Sequence, residues 1–234
     1  MSGPSRDLGR IPAVRHARLS PEDLAQLPAG APAPPWTCEV EATVWWHRAP
    51  RGAGALLPAP LVEQAGPRVT LVMLVRYLDS PVGPYAEVVA APRLLRPRPG
   101  AGLVRAHVPF IAVDDLASIA GGRAGWALPK TVARFGGPPG EAPVRAQGPG
   151  WWVRGEPLEP GRALPVAVGV TLAQVDADSV VHAAAVRLRG RARRARVDVD
   201  VDRHSGLDQW LRPGAHRGVV CSGRLRIGAP RALS

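Results

Sequence analysis

The feature that most constrains the fold is a series of short apolar or alternating segments, separated by turns rich in proline and glycine. Eight such segments predict strands, at 38–46, 68–78, 84–91, 103–113, 165–175, 180–189, 195–202 and 218–228. Alternation with a period of two is typical of strands, and "RVTLVMLVRYL" (68–78) is nearly all apolar, as in a strand buried on both faces. Many strands at short spacing favour an antiparallel, closed, barrel-like sheet over an alternating strand–helix array. We therefore expect an α+β fold, mainly β, with a few short helices.

One short surface helix is predicted near the N-terminus, within "SPEDLAQL". Ser20 is suited to the N-cap position, Pro21 to the first helical position, and Asp23 completes a capping pattern. The rest of residues 1–35 is rich in proline and alanine. We expect an N-terminal arm over residues 1–35, followed by a single domain over residues 36–234.

A second helix is predicted in the central region, over "LASIAGG". Asp114 or Asp115 supplies the N-cap, and Gly121 and Gly122 end the helix. Further along, Gly190 is suited to a hairpin turn between the segments 180–189 and 195–202.

Several classes of site lack their sequence signatures. Cys38 and Cys221 alone form neither a disulfide framework nor a metal-ligand cluster, and no dinucleotide, Walker or Ser-His-Asp pattern occurs. We expect no metal and no cofactor. His107 and His182 lie within strand patterns, which favours structural hydrogen bonding. The N-terminus lacks the apolar region of a secretory signal, and no segment reaches about 20 apolar residues, so a cytoplasmic location without membrane contact is expected.

The net charge of +11 raises the question of nucleic-acid binding. The densest basic run, "RLRGRARRAR" (187–196), leads directly into "VDVDVD". Charged residues of both signs alternate with small apolar residues from 194 to 202, which places the charges on one face of a strand. A solvated strand face explains this pattern, and aromatic residues do not interleave with the charges. We therefore do not expect a nucleic-acid partner.

The chain contains 29 arginines and a single lysine, Lys130. A guanidinium stays protonated, whereas a lysine amine is deprotonated when its pKa is depressed, and only the amine forms a Schiff base with a carbonyl. Lys130 follows the apolar run 125–129, which is expected to desolvate the amine and lower its pKa. Chance retention of one exposed lysine near a turn is the alternative.

Two segments, "GPYAE" (83–87) and "VPFIAVDDLASIAGGRAGWALPK" (108–130), resemble the acetoacetate decarboxylase family. In that family a Gly-x-Tyr-x-Glu strand precedes a Gly-Arg-Glu…Pro-Lys-Lys segment, whose first lysine forms the Schiff base. The resemblance is clearest from 69 to 135 and is absent over the first 30 or so residues. It implies that Lys130 is the Schiff-base lysine, that Glu87 is an active-site carboxylate, and that Arg123 and Pro129 frame the lysine loop. It also implies a barrel-like fold and homo-oligomeric assembly.

The same resemblance, with the apolar run before the lysine, implies a substrate pocket. Its expected lining residues are Arg123, Trp126, Leu128, Pro129, Tyr85 and Thr131.

The chain departs from the family pattern at several positions. Ala124 stands where the family has a glutamate, and Thr131 replaces the second lysine, which removes a cation that could help depress the pKa of the reactive lysine. A second active-site glutamate would fall near Val72 and is absent. An N-terminal arginine of the family has no clear counterpart, since Glu39 and Glu41 lie in that region.

The expected function is decarboxylation of a small, acetoacetate-like β-keto acid by a carbon-carbon lyase. Lys130 would form the imine and Glu87 would carry protons, unless Glu87 is a surface-facing strand carboxylate. Two alternatives stay open. The same lysine could serve an aldolase-dehydratase acting on pyruvate-like substrates, or the chain could be a non-catalytic relative that binds a ligand.

Overall fold

A computed structural model describes residues 8–97, 104–138 and 143–233, and its dominant feature is one large sheet of fourteen strands. The strands are β1 Trp36–Arg48, β2 Val69–Asp79, β3 Tyr85–Ala91, β4 Leu94–Leu95, β5 Val104–Ala106, β6 Phe110–Val113, β7 Lys130–Val132, β8 Arg134–Gly136, β9 Val144–Gly148, β10 Trp151–Leu158, β11 Leu164–Val175, β12 Val181–Val201, β13 Gly214–Ile227 and β14 Arg231–Ala232. The helices are α1 Pro21–Ala25 and α2 Leu116–Trp126, with 3-10 turns at Arg15–Ala17, Arg51–Leu56, Ala59–Gln64 and Leu207–Gln209.

The sheet forms an open half-barrel. Its main path runs β4-β5-β11-β12-β13-β1-β2-β3-β6-β7, with β8, β9, β10 and β14 attached beside it, and the described ends of the path do not pair with each other. The predicted mainly β, α+β class is confirmed, but the predicted closed and antiparallel sheet is wrong. The pairs β5/β11 and β6/β7 are parallel. The second pair is parallel because α2 crosses between the two strands, and such a crossover returns the chain in the same direction.

The predicted turn at Gly190 is also wrong, since β12 runs without interruption from Val181 to Val201. Gly190 lies opposite Gly223 of β13, and a Cβ atom on Gly190 would overlap with the Ser222 carbonyl oxygen. The glycine therefore permits close contact between two long strands. The alternating pattern of the sequence continues through it, which is why one strand forms where two were expected.

The predicted N-terminal helix is confirmed as α1. Ser20 caps it by accepting a hydrogen bond from the Asp23 amide at 3.0 Å, and Asp23 completes the capping box. The helix buries none of its residues. Just before it, Val14 and Ala17 pack into a core cluster, so this part of the chain lies against the sheet. Parts of these predictions lie outside the described residues: residues 1–7 of the predicted arm, residue 234 of the predicted domain and residue 103 of a predicted strand.

Helix α2 begins as predicted at Asp115, whose carboxylate accepts a hydrogen bond from the Ser118 amide. Its predicted end at Gly121 and Gly122 is wrong, because the helix continues to Trp126. A Cβ atom on Gly121 would lie 2.6 Å from the ring of Trp36, so this glycine serves close packing inside the helix.

The two faces of the sheet bury separate apolar clusters. Residues such as Trp45, Leu74 and Phe110 form the first. Val40 and Ile119 belong to the second, which lies between the sheet and α2. Within the described ranges, no helix has the length and apolarity needed to cross a bilayer.

Candidate active site

Lys130 is the first residue of β7, and the local backbone directs its side chain under α2. Its strand pairs in parallel with β6, where Ile111 is its register partner. The loop between α2 and β7 is held by a bond from the Leu128 amide to the Gly122 carbonyl, 3.2 Å long. Only 4% of Lys130 is exposed, so the sole lysine of the chain is buried. The alternative of an exposed lysine near a turn is wrong.

The Lys130 ammonium has three acceptors around it. Its Nζ lies 2.7 Å from Glu87 Oε2, 2.9 Å from Ser118 Oγ and 3.5 Å from the Tyr85 hydroxyl. The same nitrogen lies 5.0 Å from the centre of the Tyr85 ring. Because an ammonium carries three N–H groups, this arrangement satisfies the charged form of the side chain.

Glu87 lies inside the protein, with 4% exposure, and not on the surface. It is held on β3, and its Oε1 accepts a hydrogen bond from the Tyr77 hydroxyl at 3.1 Å. Tyr77 and Tyr85 are register partners on β2 and β3, and their rings stack at 4.1 Å. Both carboxylate oxygens of Glu87 therefore have fixed donors.

The charges of the site set the resting protonation of Lys130. Burial lowers the pKa of Lys130, but the Glu87 carboxylate, followed by Tyr85, raises it, and the net effect is a pKa above the ordinary value. The expectation of a lowered pKa is therefore wrong for the resting site, because the combined effect of the adjacent Glu87 counter-ion and of Tyr85 exceeds that of desolvation. Burial raises the pKa of Tyr85 to about 12, so its phenol stays protonated at neutral pH.

Gly122 provides the space for the lysine stem. A Cβ atom at this position would lie 2.6 Å from Lys130 Cδ and 2.8 Å from Cε, far inside contact distance. The glycine is within α2, four residues after Ser118, so both face the lysine from one side of the helix.

The substitution Gly122→Ala is expected to displace the Lys130 side chain and to lower the rate of imine formation at least ~10-fold, because a shift of about 1 Å at a reacting group has large effects. Borohydride trapping followed by intact mass measures the rate. Gly125→Ala, in the same helix but against Pro34, is the matched control and should leave trapping unchanged. Equal trapping rates in the two variants would contradict this role of Gly122.

Three expected pocket residues lie buried in the segment just before the lysine. Trp126, Leu128 and Pro129 are all buried, and the first two belong to the apolar cluster under α2. The Trp126 indole donates a 2.7 Å hydrogen bond to the Gly228 carbonyl, which fixes its ring.

Arg123 holds the backbone of the lysine loop. Its buried guanidinium donates to the carbonyl oxygens of Lys130, at 2.7 Å, of Ala17, at 3.3 Å, and of Leu8. Burial lowers the pKa of Arg123 to about 10, which still leaves it charged at neutral pH. Its bonds place it behind the loop, so we assign it to the frame of the site.

Thr131 lies on the other side of β7 from the Lys130 amine, since successive strand residues face opposite ways. Its hydroxyl lies 3.5 Å from the Arg18 carbonyl oxygen, and it lines a cavity on that side. Thr131 therefore faces away from the amine, on the opposite side of β7.

The other departures from the family pattern also lie away from the amine. Ala124 is on the exposed side of α2, and Val72 packs into the first apolar cluster, on the opposite face of the sheet. Glu39 and Glu41 form ion pairs with arginines of neighbouring strands, at 3.1 and 3.8 Å.

Sequence reasoning missed Ser118 and Tyr77. The signal for Ser118 was its spacing of four residues from Gly122 in a capped helix, which places both on one face. Tyr77 required the register of β2 against β3, which the sequence does not specify. Among the described residues, no group of three or more His, Cys, Asp or Glu is placed to hold a metal ion. The arrangement offers an amine nucleophile, a carboxylate proton carrier and two kinds of hydroxyl group.

Comparison with known proteins gives consistent results. The family model for acetoacetate decarboxylase (ADC) matches residues 18–137, a range that includes Glu87, Ser118 and Lys130. No individual curated protein sequence matches the chain.

Solved structures show the same fold at low sequence identity. An acetoacetate decarboxylase structure matches with a TM-score of 0.64 and 12% identity, covering 92% of this chain and 98% of the other. The Legionella pneumophila acetoacetate decarboxylase matches with a TM-score of 0.63 and 16% identity, covering 89% and 93%. The enduracididine biosynthesis enzyme MppR, complexed with pyruvate, matches with a TM-score of 0.64 and 16% identity, covering 87% and 91%.

Proposed function

The chain belongs to the acetoacetate decarboxylase family, and from that premise we propose that it is a Schiff-base-forming decarboxylase of a small β-keto acid. The observation that carries the proposal is the position of the only lysine amine, buried and 2.7 Å from a buried carboxylate. A buried amine beside one proton carrier is the arrangement that imine chemistry requires. Acetoacetate decarboxylase is itself an established example of a lysine activated by its surroundings, so this chemical rationale is general rather than new.

The reaction begins from the ammonium–carboxylate pair. Moving one proton from Lys130 Nζ to Glu87 Oε2 gives a neutral amine and a neutral acid. Burial lowers the free-energy cost of this transfer, although the charged pair is the resting state. The amine nitrogen then bonds to the ketone carbon, and the carbonyl oxygen leaves as water after receiving protons, one of them from Glu87. The product is a protonated imine.

The imine accepts the electrons released by decarboxylation. The bond between the α-carbon and the carboxylate breaks, CO2 leaves, and the electron pair forms an enamine that neutralises the nitrogen. A proton adds to the enamine carbon, and water hydrolyses the resulting imine to ketone and free amine. Glu87 is the proton carrier, while the Ser118 and Tyr85 hydroxyls orient the nitrogen through its hydrogen bonds.

Borohydride trapping tests the proposal directly. Reduction in the presence of acetoacetate should add one substrate-derived fragment to the intact mass, at Lys130, and CO2 should be released without borohydride. The absence of an adduct with both acetoacetate and pyruvate, at a pH where the amine is free, would contradict imine chemistry.

An aldolase-dehydratase acting on pyruvate-like substrates is the second candidate. One observation favours it: MppR, whose fold is similar to that of this chain, was solved with pyruvate. In that case pyruvate, but not acetoacetate, should give the trapped adduct, and acetoacetate should release no CO2. A non-catalytic ligand-binding relative would bind keto acids without any covalent adduct.

A further inference from the structure

A cleft with several arginines in its lining lies on the side of β7 away from the Lys130 amine. This cleft has a volume of about 460 Å³ and lies between the segment 15–23, the strand residues 131–134 and the turn at 147–149. Its arginine lining residues are Arg15, Arg18 and Arg134. His16 also lines the cleft, and burial lowers the pKa of its imidazole. A volume of several hundred Å³ is typical of clefts that hold small molecules.

The positive charge of this cleft is not balanced by its own residues. The lining contains one acidic residue, Asp23, against three arginines. The Asp23 carboxylate accepts hydrogen bonds from the Ser20 amide and hydroxyl, at 3.3 and 2.8 Å. Arg15 is bonded to the Ser205 carbonyl. Within the ranges that the structure describes, neither Arg18 nor Arg134 has an acidic partner.

We propose that this cleft binds a small oxyanion, a carboxylate or a phosphate, between the guanidinium groups of Arg18 and Arg134. Guanidinium groups bind both classes of oxyanion through paired hydrogen bonds. Gln147, the register partner of Arg134, also lines this cleft and carries an amide donor. Because Lys130 extends from the other face of β7, this ligand is separate from any imine-forming substrate, and the proposal does not rest on the proposed function.

Titration calorimetry of the full chain with inorganic phosphate and with citrate, at low and matched ionic strength, tests the site. We expect saturable binding of at least one probe, and about 10-fold weaker binding in Arg18→Gln and in Arg134→Gln, since a lost charge-assisted hydrogen bond has an effect of that order. Binding of phosphate alone identifies a phosphorylated ligand, and binding of citrate alone identifies a carboxylate.

Arg189→Gln is the matched control, because it removes the same charge from an exposed position on β12, outside the cleft. It should change the Kd less than 2-fold, and Lys130→Met should leave binding intact. Circular dichroism checks that each variant folds; if Arg18→Gln does not, Arg134→Gln decides. The proposal is overturned if neither probe saturates, or if Arg189→Gln weakens binding as much as the cleft variants.

Discussion

Replacing Lys130 by arginine is expected to reduce turnover of acetoacetate to background, a loss on the order of 10⁴-fold or more. Arginine keeps a positive charge beside Glu87 but has no amine that is available at working pH, so the imine cannot form. Because Lys130 is the only lysine, the variant contains no other lysine amine. The measurement is CO2 release across the pH range, together with loss of the borohydride-trapped mass.

The control for Lys130→Arg uses the absence of other lysines. Arg189→Lys places an amine at an exposed position on β12, instead of in the buried site beside Glu87. The double variant Lys130→Arg/Arg189→Lys should regain neither trapping nor CO2 release, which shows that position matters as well as the amine. Turnover that persists in Lys130→Arg would remove the lysine from the mechanism.

Replacing Glu87 by glutamine is expected to affect turnover and imine trapping in different ways. Turnover should fall by about 10²- to 10⁴-fold, because the proton carrier is lost. The pKa of Lys130 should fall, since Glu87 raises it in the native site while burial lowers it, and burial remains in the variant. Imine trapping, which needs the free amine, should therefore extend to lower pH than in the native protein.

The pH dependence of trapping and the rate of CO2 release are the two measurements for Glu87→Gln. A merely structural effect would lower both rates without shifting the trapping profile toward lower pH. Glu39→Gln is the matched control, because that glutamate is half exposed and paired with Arg224 on the neighbouring strand. It should change neither measurement. An unshifted trapping profile in Glu87→Gln would show that the carboxylate does not set the pKa of the lysine.

The sequence allowed prediction of the strand-rich fold from strand periodicity, and it singled out Lys130 as the only lysine. Glu87 was identified only through the resemblance to the family. The sequence did not allow prediction of the parallel pairing of β6 and β7, which depends on a helix crossing over the sheet. Gly121 and Gly122 of α2 show the same limit. As a local pattern they indicate a helix end, whereas inside the fold they give room to Trp36 and Lys130.

The resting protonation of the lysine also depends on contacts that a sequence does not specify. The apolar run before Lys130 predicts a lowered pKa, and burial does act in that direction. The opposing effect comes from Glu87, which lies 43 positions away in the chain and reaches the amine only through the pairing of β3 with β6 and of β6 with β7. Register of this kind is a property of the whole sheet.

The hydrogen bonds of Arg123 determine where this protein can be shortened. Two of the three carbonyls that its guanidinium contacts belong to Leu8 and Ala17, upstream of residue 18, where the family match begins. A truncated form that starts at that boundary would remove two of the three acceptors of this guanidinium, together with residues that cover it. Domain boundaries drawn from family similarity alone would thus remove part of the support of the reactive loop.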